Sequence, residues 1–183
     1  MLEDIREILI DRRAIEARVC ELAGQIAIDY AQEEFLLMPL LTGSIIFVAD
    51  LVRQLPRRMR IDVLAVSIYP GTATTSQGTK VLYPSSFDVK GRHVLIVDDI
   101  LDSGKTLKTV CTLLRAGEAA SVRSCVLLKK KLAEPAKAEA DYVGFEIPNE
   151  FVVGYGLDYN GYYRNLPDIA ILRPHVISSR AEA

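Results

Sequence analysis

The residues best equipped for chemistry lie in one run, 94–107, reading VLIVDDILDSGKTL. Val94, Leu95, Ile96 and Val97 are consecutive and apolar, which suits a strand of a parallel sheet buried on both faces. Three carboxylates follow, Asp98, Asp99 and Asp102, at the carboxyl end of that strand, where open α/β sheets bind ligands. Ser103, Gly104, Lys105 and Thr106 then fall at the first turn of the next helix, where backbone amides have no intrahelical partner and can hold an anion. Acids repel phosphate and a helix start attracts it, so a ligand carrying both hydroxyls and phosphate satisfies both halves. Ribose 5-phosphate fits, its hydroxyls donating to the aspartates and its phosphate accepting from the turn. A plain strand, turn and helix with Asp102 or Ser103 as cap remains an alternative, but it gives no reason for two acids directly after a buried strand. Gly104-Lys105-Thr106 does not complete a P-loop, because that motif's earlier glycine falls on Asp99.

The elements that must position these residues are legible on either side. Ile5, Ile8, Leu9 and Ile10 suit a short strand or packing segment, and Asp11 can cap a helix whose stripe is Ile15, Val19, Leu22, Ile26 and Ile28. Phe35 to Leu41 reads as a buried strand that ends in Thr42-Gly43-Ser44 before the helical pattern IIFVADLVRQL, repeating the plan of the central run. Ser44 can be an ordinary N-cap there, or the turn can offer a second set of amides for a second phosphate group. A strand is expected over 61–68. The stretch 70–80, PGTATTSQGTK, has Ala73 as its one apolar side chain and is long for an internal connection, which suits a mobile lid as well as a slack connector or hairpin. A helix over 107–116 capped by Gly117 and a strand over 122–128 come next, and Lys129, Lys130 and Lys131 close that strand either as a solvated face or with one ammonium reaching a ligand. Residues 141–167 are rich in aromatics and glycine and read as two short strands and a Tyr-rich turn, a flap rather than more sheet core. Within it Phe151 can stack a base, Asp158 can hold Mg²⁺ and Arg164 can hold pyrophosphate; singly, each also has an ordinary structural reading.

The central run resembles the ribosyl-phosphate signature of type I phosphoribosyltransferases, in the form found in the hypoxanthine (hypoxanthine-guanine) phosphoribosyltransferase family. That family usually has Glu-Asp where this chain has Asp98-Asp99. The resemblance spans roughly residues 35–174, and the block 141–167 matches in spacing as well as residue type. It implies an α/β fold of the type I phosphoribosyltransferase kind: a central, mostly parallel sheet flanked by helices, with a small hood from the terminal segments. One domain over 1–183 is implied, its core about 12–140 and its hood about 1–11 and 141–183.

The implied activity is purine salvage, transfer of the 5-phosphoribosyl group of 5-phosphoribosyl 1-pyrophosphate to a 6-oxopurine with release of pyrophosphate and with Mg²⁺ as cofactor. Asp102 is then the base at the purine N7. Asp98 and Asp99 hold the ribose and the metal, and Ser103 to Thr106 hold the 5′-phosphate. Thr42 and Gly43, with Arg164, hold pyrophosphate; Thr42 replaces the lysine more usual there. Lys130, through the pattern Leu127-Leu128-x-Lys130, contacts the exocyclic oxygen, Phe151 stacks on the base and the Val152 backbone reads its edge. Asp158 is a further metal ligand, and Ser67 and Tyr69, split by Ile68, loosely match the start of the family's flexible loop. A xanthine- or guanine-preferring transferase is the nearer alternative, and an RNA-binding regulator on the same fold the more distant one.

Composition narrows the field. At 183 residues, half of them hydrophobic, the chain suits one well-buried domain. A net charge of -2 gives no general attraction to nucleic acid or anionic lipid, so phosphate must be bound by local geometry. Cys20, Cys111 and Cys125 read as reduced core thiols. The start MLEDIREILI carries acids where a signal peptide carries bases, and no apolar run reaches membrane-spanning length. A cytoplasmic enzyme acting on small molecules, with neither nucleic acid nor membrane as partner, is the expectation, and the resemblance adds a homodimer or homotetramer.

Overall fold

The computed structural model describes residues 1–68, 79–83 and 88–179. In chain order the elements are β1 (Ile5–Ile10), α1 (Arg12–Asp29), β2 (Phe35–Leu41), α2 (Ile45–Gln54), β3 (Arg60–Ile61), β4 (Leu64–Ile68), β5 (Thr79–Tyr83), β6 (His93–Leu101), α3 (Lys105–Ala116), β7 (Ser121–Lys130), β8 (Tyr142–Ile147), β9 (Val152–Val153), β10 (Ile169–Leu172) and α4 (Pro174–Ser179). The main sheet runs β5-β4-β2-β6-β7-β8, with the two-residue β3 also on β2. Its pairings are parallel except β4 with β5.

Strand alternation sorts the core into two layers. Leu37, Leu95, Val97, Cys125 and Leu127 pack with Ile15, Val19 and Leu22 of α1 and Phe47 and Leu51 of α2. Their neighbours Leu36, Met38, Val94, Ile96 and Val126 pack on the other face with Leu107, Val110 and Leu114 of α3. Past Val97 the alternation slips: Ile100 packs with the α1 and α2 cluster and Leu101 with the α3 cluster. A second, antiparallel sheet, β1-β10-β9, joins the two ends of the chain. Arg12 N donates to Asp168 at 2.8 Å and Tyr163 Oη to Asp4 at 2.9 Å, tying this hood to the start of the chain.

Asp11 caps α1 as expected, accepting from Arg13 N and Ala14 N at 2.9 Å. Four expectations change. The strand over 61–68 is broken after Ile61, because the chain turns at Asp62, whose amide donates to Leu37 O, before β4 resumes. β6 carries on through Asp98 and Asp99 to Leu101, since a strand ladder uses backbone groups and tolerates charged side chains; Ile100 and Leu101 still pair with Leu128 and Lys129. β8, expected within the flap, extends the main sheet in parallel register on β7, with Tyr142 and Ile147 buried. Cys20 is exposed on α1, and only Cys125 is fully buried. Ser67 lies in β4 opposite Lys80 of β5, so the end of the expected lid is a hairpin strand; Tyr69 and residues 70–78 lie outside the described residues.

Candidate active site

β2 and β6 are adjacent and parallel, and each passes through a short turn into a helix. At the start of α2, Ser44 is buried and its hydroxyl donates to Leu40 O at 2.6 Å, so it caps nothing and α2 has no side-chain cap. At the start of α3 the N-cap is Gly104, with φ of 72°, which again supplies no side chain. Neither Asp102 nor Ser103 caps α3. Gly104 is required twice over: its backbone is left-handed, and a Cβ there would stand 2.7 Å from Ala138 N of the connector after β7. The Lys137 amide donates to Ser103 O at 2.9 Å, so that connector braces the turn. Two uncapped helix starts, with amides lacking intrahelical acceptors, therefore face one cleft of about 370 Å³. Thr42, Gly43, Asp98, Asp99, Asp102, Ser103, Gly104, Lys105 and Thr106 all line it.

Asp98 and Asp99 are half-buried at the cleft floor. The Asp99 amide donates to Asp98 Oδ1 at 3.0 Å, and the Ile100 amide to Asp99 Oδ1 at 2.8 Å. Burial, and next the charge of Asp99, hold the Asp98 carboxyl well above the usual carboxylate range. Burial also raises Asp99, opposed by its hydrogen bond with Asp98 and by the positive field of Arg164. Gly43 is fitted against this pair: a Cβ on it would stand 2.6 Å from the Asp99 carboxylate carbon and closer still to Oδ2.

Arg164 reaches the same place from the hood. Its Nη2 lies 2.6 Å from Asp158 Oδ1 and its Nη1 donates to Gly156 O at 2.5 Å. Asp158 also accepts from Gly161 N at 2.8 Å, so it is both a turn acid and the arginine's partner. Gly156 in turn presses on Gly43, whose carbonyl oxygen occupies the space a side chain at 156 would need. Asp102 projects into solvent and is met by Lys130, whose ammonium lies 3.2 Å away on a side chain only 13 % exposed. Phe151 is 44 % exposed, its ring edge-on to Tyr159 with centroids 5.5 Å apart, while Val152 is buried in the hood sheet on Ile171.

The site residues thus fall into a cleft group, an Arg164 group behind Gly43, Lys130 joined through Asp102, and Phe151 with Val152 on the hood outside the cleft lining. Among the described residues no three Asp, Glu, His or Cys side chains converge as a cage for a metal ion, Asp98, Asp99 and Asp158 included. Asp158 is drawn away by Arg164 and Gly161. What exists instead is a hard-oxygen pair beside open space, the kind of partial set Mg²⁺ accepts when a substrate supplies the remaining oxygens. Tyr155 and Asp50, whose 2.6 Å hydrogen bond joins hood to α2, were not signalled by the sequence, being 105 residues apart.

No helix among the described residues is long and apolar enough to cross a membrane. Residues 6–160 match the model of the phosphoribosyl transferase domain. The chain is 43 % identical over 180 residues to a hypoxanthine-guanine phosphoribosyltransferase of Streptococcus pneumoniae, covering 98 % of this chain and 100 % of that one. To the enzyme of the same name from Mycobacterium tuberculosis it is 43 % identical, covering 94 % and 89 %. Among solved structures, a hypoxanthine phosphoribosyltransferase of Staphylococcus aureus superposes with a TM-score of 0.90 at 37 % identity, covering 96 % of each chain. One of Trypanosoma cruzi does so at 0.91 and 37 %, covering 99 % of this chain and 98 % of that one. Two uncapped helix starts over a pair of half-buried aspartates, on a mostly parallel sheet hooded by both chain ends, belong together with these likenesses: the chain is a member of the phosphoribosyltransferase family.

Proposed function

We infer that this protein is a purine salvage enzyme, a hypoxanthine phosphoribosyltransferase that moves the 5-phosphoribosyl group from 5-phosphoribosyl 1-pyrophosphate to hypoxanthine or guanine, yielding IMP or GMP and pyrophosphate. The observation that carries this is the convergence of the α2 and α3 starts on one cleft floored by Asp98 and Asp99. A donor with a phosphate at each end and hydroxyls between them meets every group there.

The α3 turn, Ser103 to Thr106, holds the 5′-phosphate through amides. Thr42 and Gly43 with Arg164 hold the pyrophosphate. Asp98 and Asp99 accept from the ribose hydroxyls and stabilise the positive charge that builds at the anomeric carbon as the bond to pyrophosphate lengthens. Asp98 and Asp99, together with substrate oxygens, would hold Mg²⁺, which would neutralise the leaving anion, while Asp158 serves Arg164. Asp102 takes the N7 proton of the purine. Its partner Lys130 is within reach of the same base, so the ammonium can turn from carboxylate to exocyclic oxygen as the purine arrives. Phe151, already half-exposed, stacks on the base, and the Val152 backbone reads its edge.

Assay of purified protein with the sugar donor, Mg²⁺ and hypoxanthine, guanine or xanthine in turn tests the assignment. Nucleotide formation from the first two is expected; no pyrophosphate released with any base defeats it. A cytoplasmic dimer or tetramer is part of the same reading, supported by Ile45 and Ile46 left exposed at the start of α2, and light scattering of the eluted protein reads the mass directly.

A further inference from the structure

We propose that the Tyr155 hydroxyl and Asp50 form a positioning bond that fastens the Arg164 turn to α2 and so sets the pyrophosphate half of the site. The proposal rests on the assignment of that half to Thr42, Gly43 and Arg164. Tyr155 stands between Gly154 and Gly156 with its own φ at 51°, a left-handed backbone that a bulky residue holds only when its surroundings impose it. Three contacts impose it. The ring is 7 % exposed and packed in the core with Val152 and Leu157. The Tyr155 amide donates to Leu166 O at 2.7 Å. The hydroxyl donates to Asp50 Oδ2 at 2.6 Å, and burial first, then this bond, push its pKa far above that of a free phenol.

Both ends of the bond lead to the same place. From Tyr155 the next residue, Gly156, accepts from Arg164 Nη1, donates its amide to Arg164 O at 2.9 Å and presses on the Gly43 carbonyl. From Asp50, α2 runs back to Ile45, whose amide donates to Thr42 O at 3.2 Å. Asp50 Oδ1 is meanwhile held by Arg53 on its own helix, leaving Oδ2 aimed at the tyrosine. A cavity of about 440 Å³ bordered by Ile46, Asp50, Arg53, Tyr155 and Arg164 lies beside the bond. The turn therefore has space to swing once the bond is lost.

The test measures three things: calorimetric affinity for inorganic pyrophosphate with Mg²⁺, the separate KM values for sugar donor and hypoxanthine, and Tm. Tyr155→Phe removes one oxygen. It should weaken pyrophosphate binding and raise the donor KM together by about tenfold, the scale of one hydrogen bond to a charged group, with kcat and hypoxanthine KM within about twofold. Asp50→Ala, at a half-exposed position, should do the same from the helix side, and Asp50→Asn, which keeps an acceptor oxygen, should restore most of the loss. Tyr142→Phe is the control, since it breaks a 2.7 Å bond to Asp29 at the other end of the core. It should lower Tm without moving either binding constant. Wild-type affinity in Tyr155→Phe, or an equal loss in Tyr142→Phe, overturns the proposal. Wild-type protein that neither binds pyrophosphate nor turns over overturns the underlying assignment as well.

Discussion

Gly43→Ala adds one methyl at the narrowest point of the site. With the backbone fixed, that carbon lies 2.6 Å from the Asp99 carboxylate carbon and closer still to Oδ2, where unstrained contacts begin near 3.4 Å. Retreat is blocked on the other side by Gly156, which already touches the Gly43 carbonyl. Either Asp99 or the loop must therefore give by roughly 1 Å, and a misplacement of that size at reacting groups costs about a hundredfold in rate, about 2.7 kcal/mol of transition-state stabilisation. The loss of fold stability should be smaller, about 1 kcal/mol, because Asp99 is only half-buried and can swing toward the cleft. Steady-state kcat/KM for donor and hypoxanthine, with Tm alongside, measures both. The cause is isolated by adding Asp99→Ala: with the carboxylate gone the methyl has room, so the double variant should be no slower than Asp99→Ala alone, a strongly non-additive cycle. A Gly43→Ala enzyme within twofold of wild type, or strict additivity in the cycle, would refute the close approach of Gly43 to Asp99 as a constraint on catalysis.

Asp102→Asn keeps the shape and removes the base, so turnover should fall by about 10² to 10⁴ with the donor KM nearly unchanged; a raised donor KM at normal kcat would move Asp102 out of the proton-transfer role. Arg164→Lys loses the planar fork that serves Asp158 and Gly156 at once, and the donor KM should rise by about ten- to a hundredfold while the purine KM stays put. Asp98→Asn should stabilise the fold at neutral pH. A carboxyl whose folded-state pKa lies above its unfolded value of about 3.8 contributes stability below that value and loses it as pH rises through the folded pKa. The variant's Tm should therefore exceed wild type at pH 7 and converge on it as pH falls toward 4, and a Tm difference independent of pH would show that burial and Asp99 do not govern Asp98.

The parts of the fold that were legible in the sequence are those decided locally. The apolar runs of β2, β6 and β7, the Asp11 cap and the two strand-turn-helix units each follow from a few adjacent residues, and their adjacency is then set by the pairing of β2 with β6. What escaped is decided by partners distant in the chain. Nothing in Tyr142 to Ile147 distinguishes a flap strand from an edge strand; its place on β7 depends on a ladder with residues about 17 positions earlier. The strand's continuation through Asp98 and Asp99 is likewise set by β7, which keeps pairing after the apolar stretch has ended. That continuation matters chemically, because it holds both acids on the floor of one cleft, with the Asp99 amide bonded to Asp98 Oδ1. Of the two, it is Asp99 that meets Gly43 and the field of Arg164. The shortening of the first acid relative to the family's usual Glu therefore falls on the carboxyl without that cation nearby. Asp98→Glu should reach farther toward the sugar without disturbing the Gly43, Asp99 and Arg164 contact. The two acids are unequal for this reason: Asp99 is fitted against Gly43 and feels Arg164, while Asp98 is governed by burial and by its neighbour's charge.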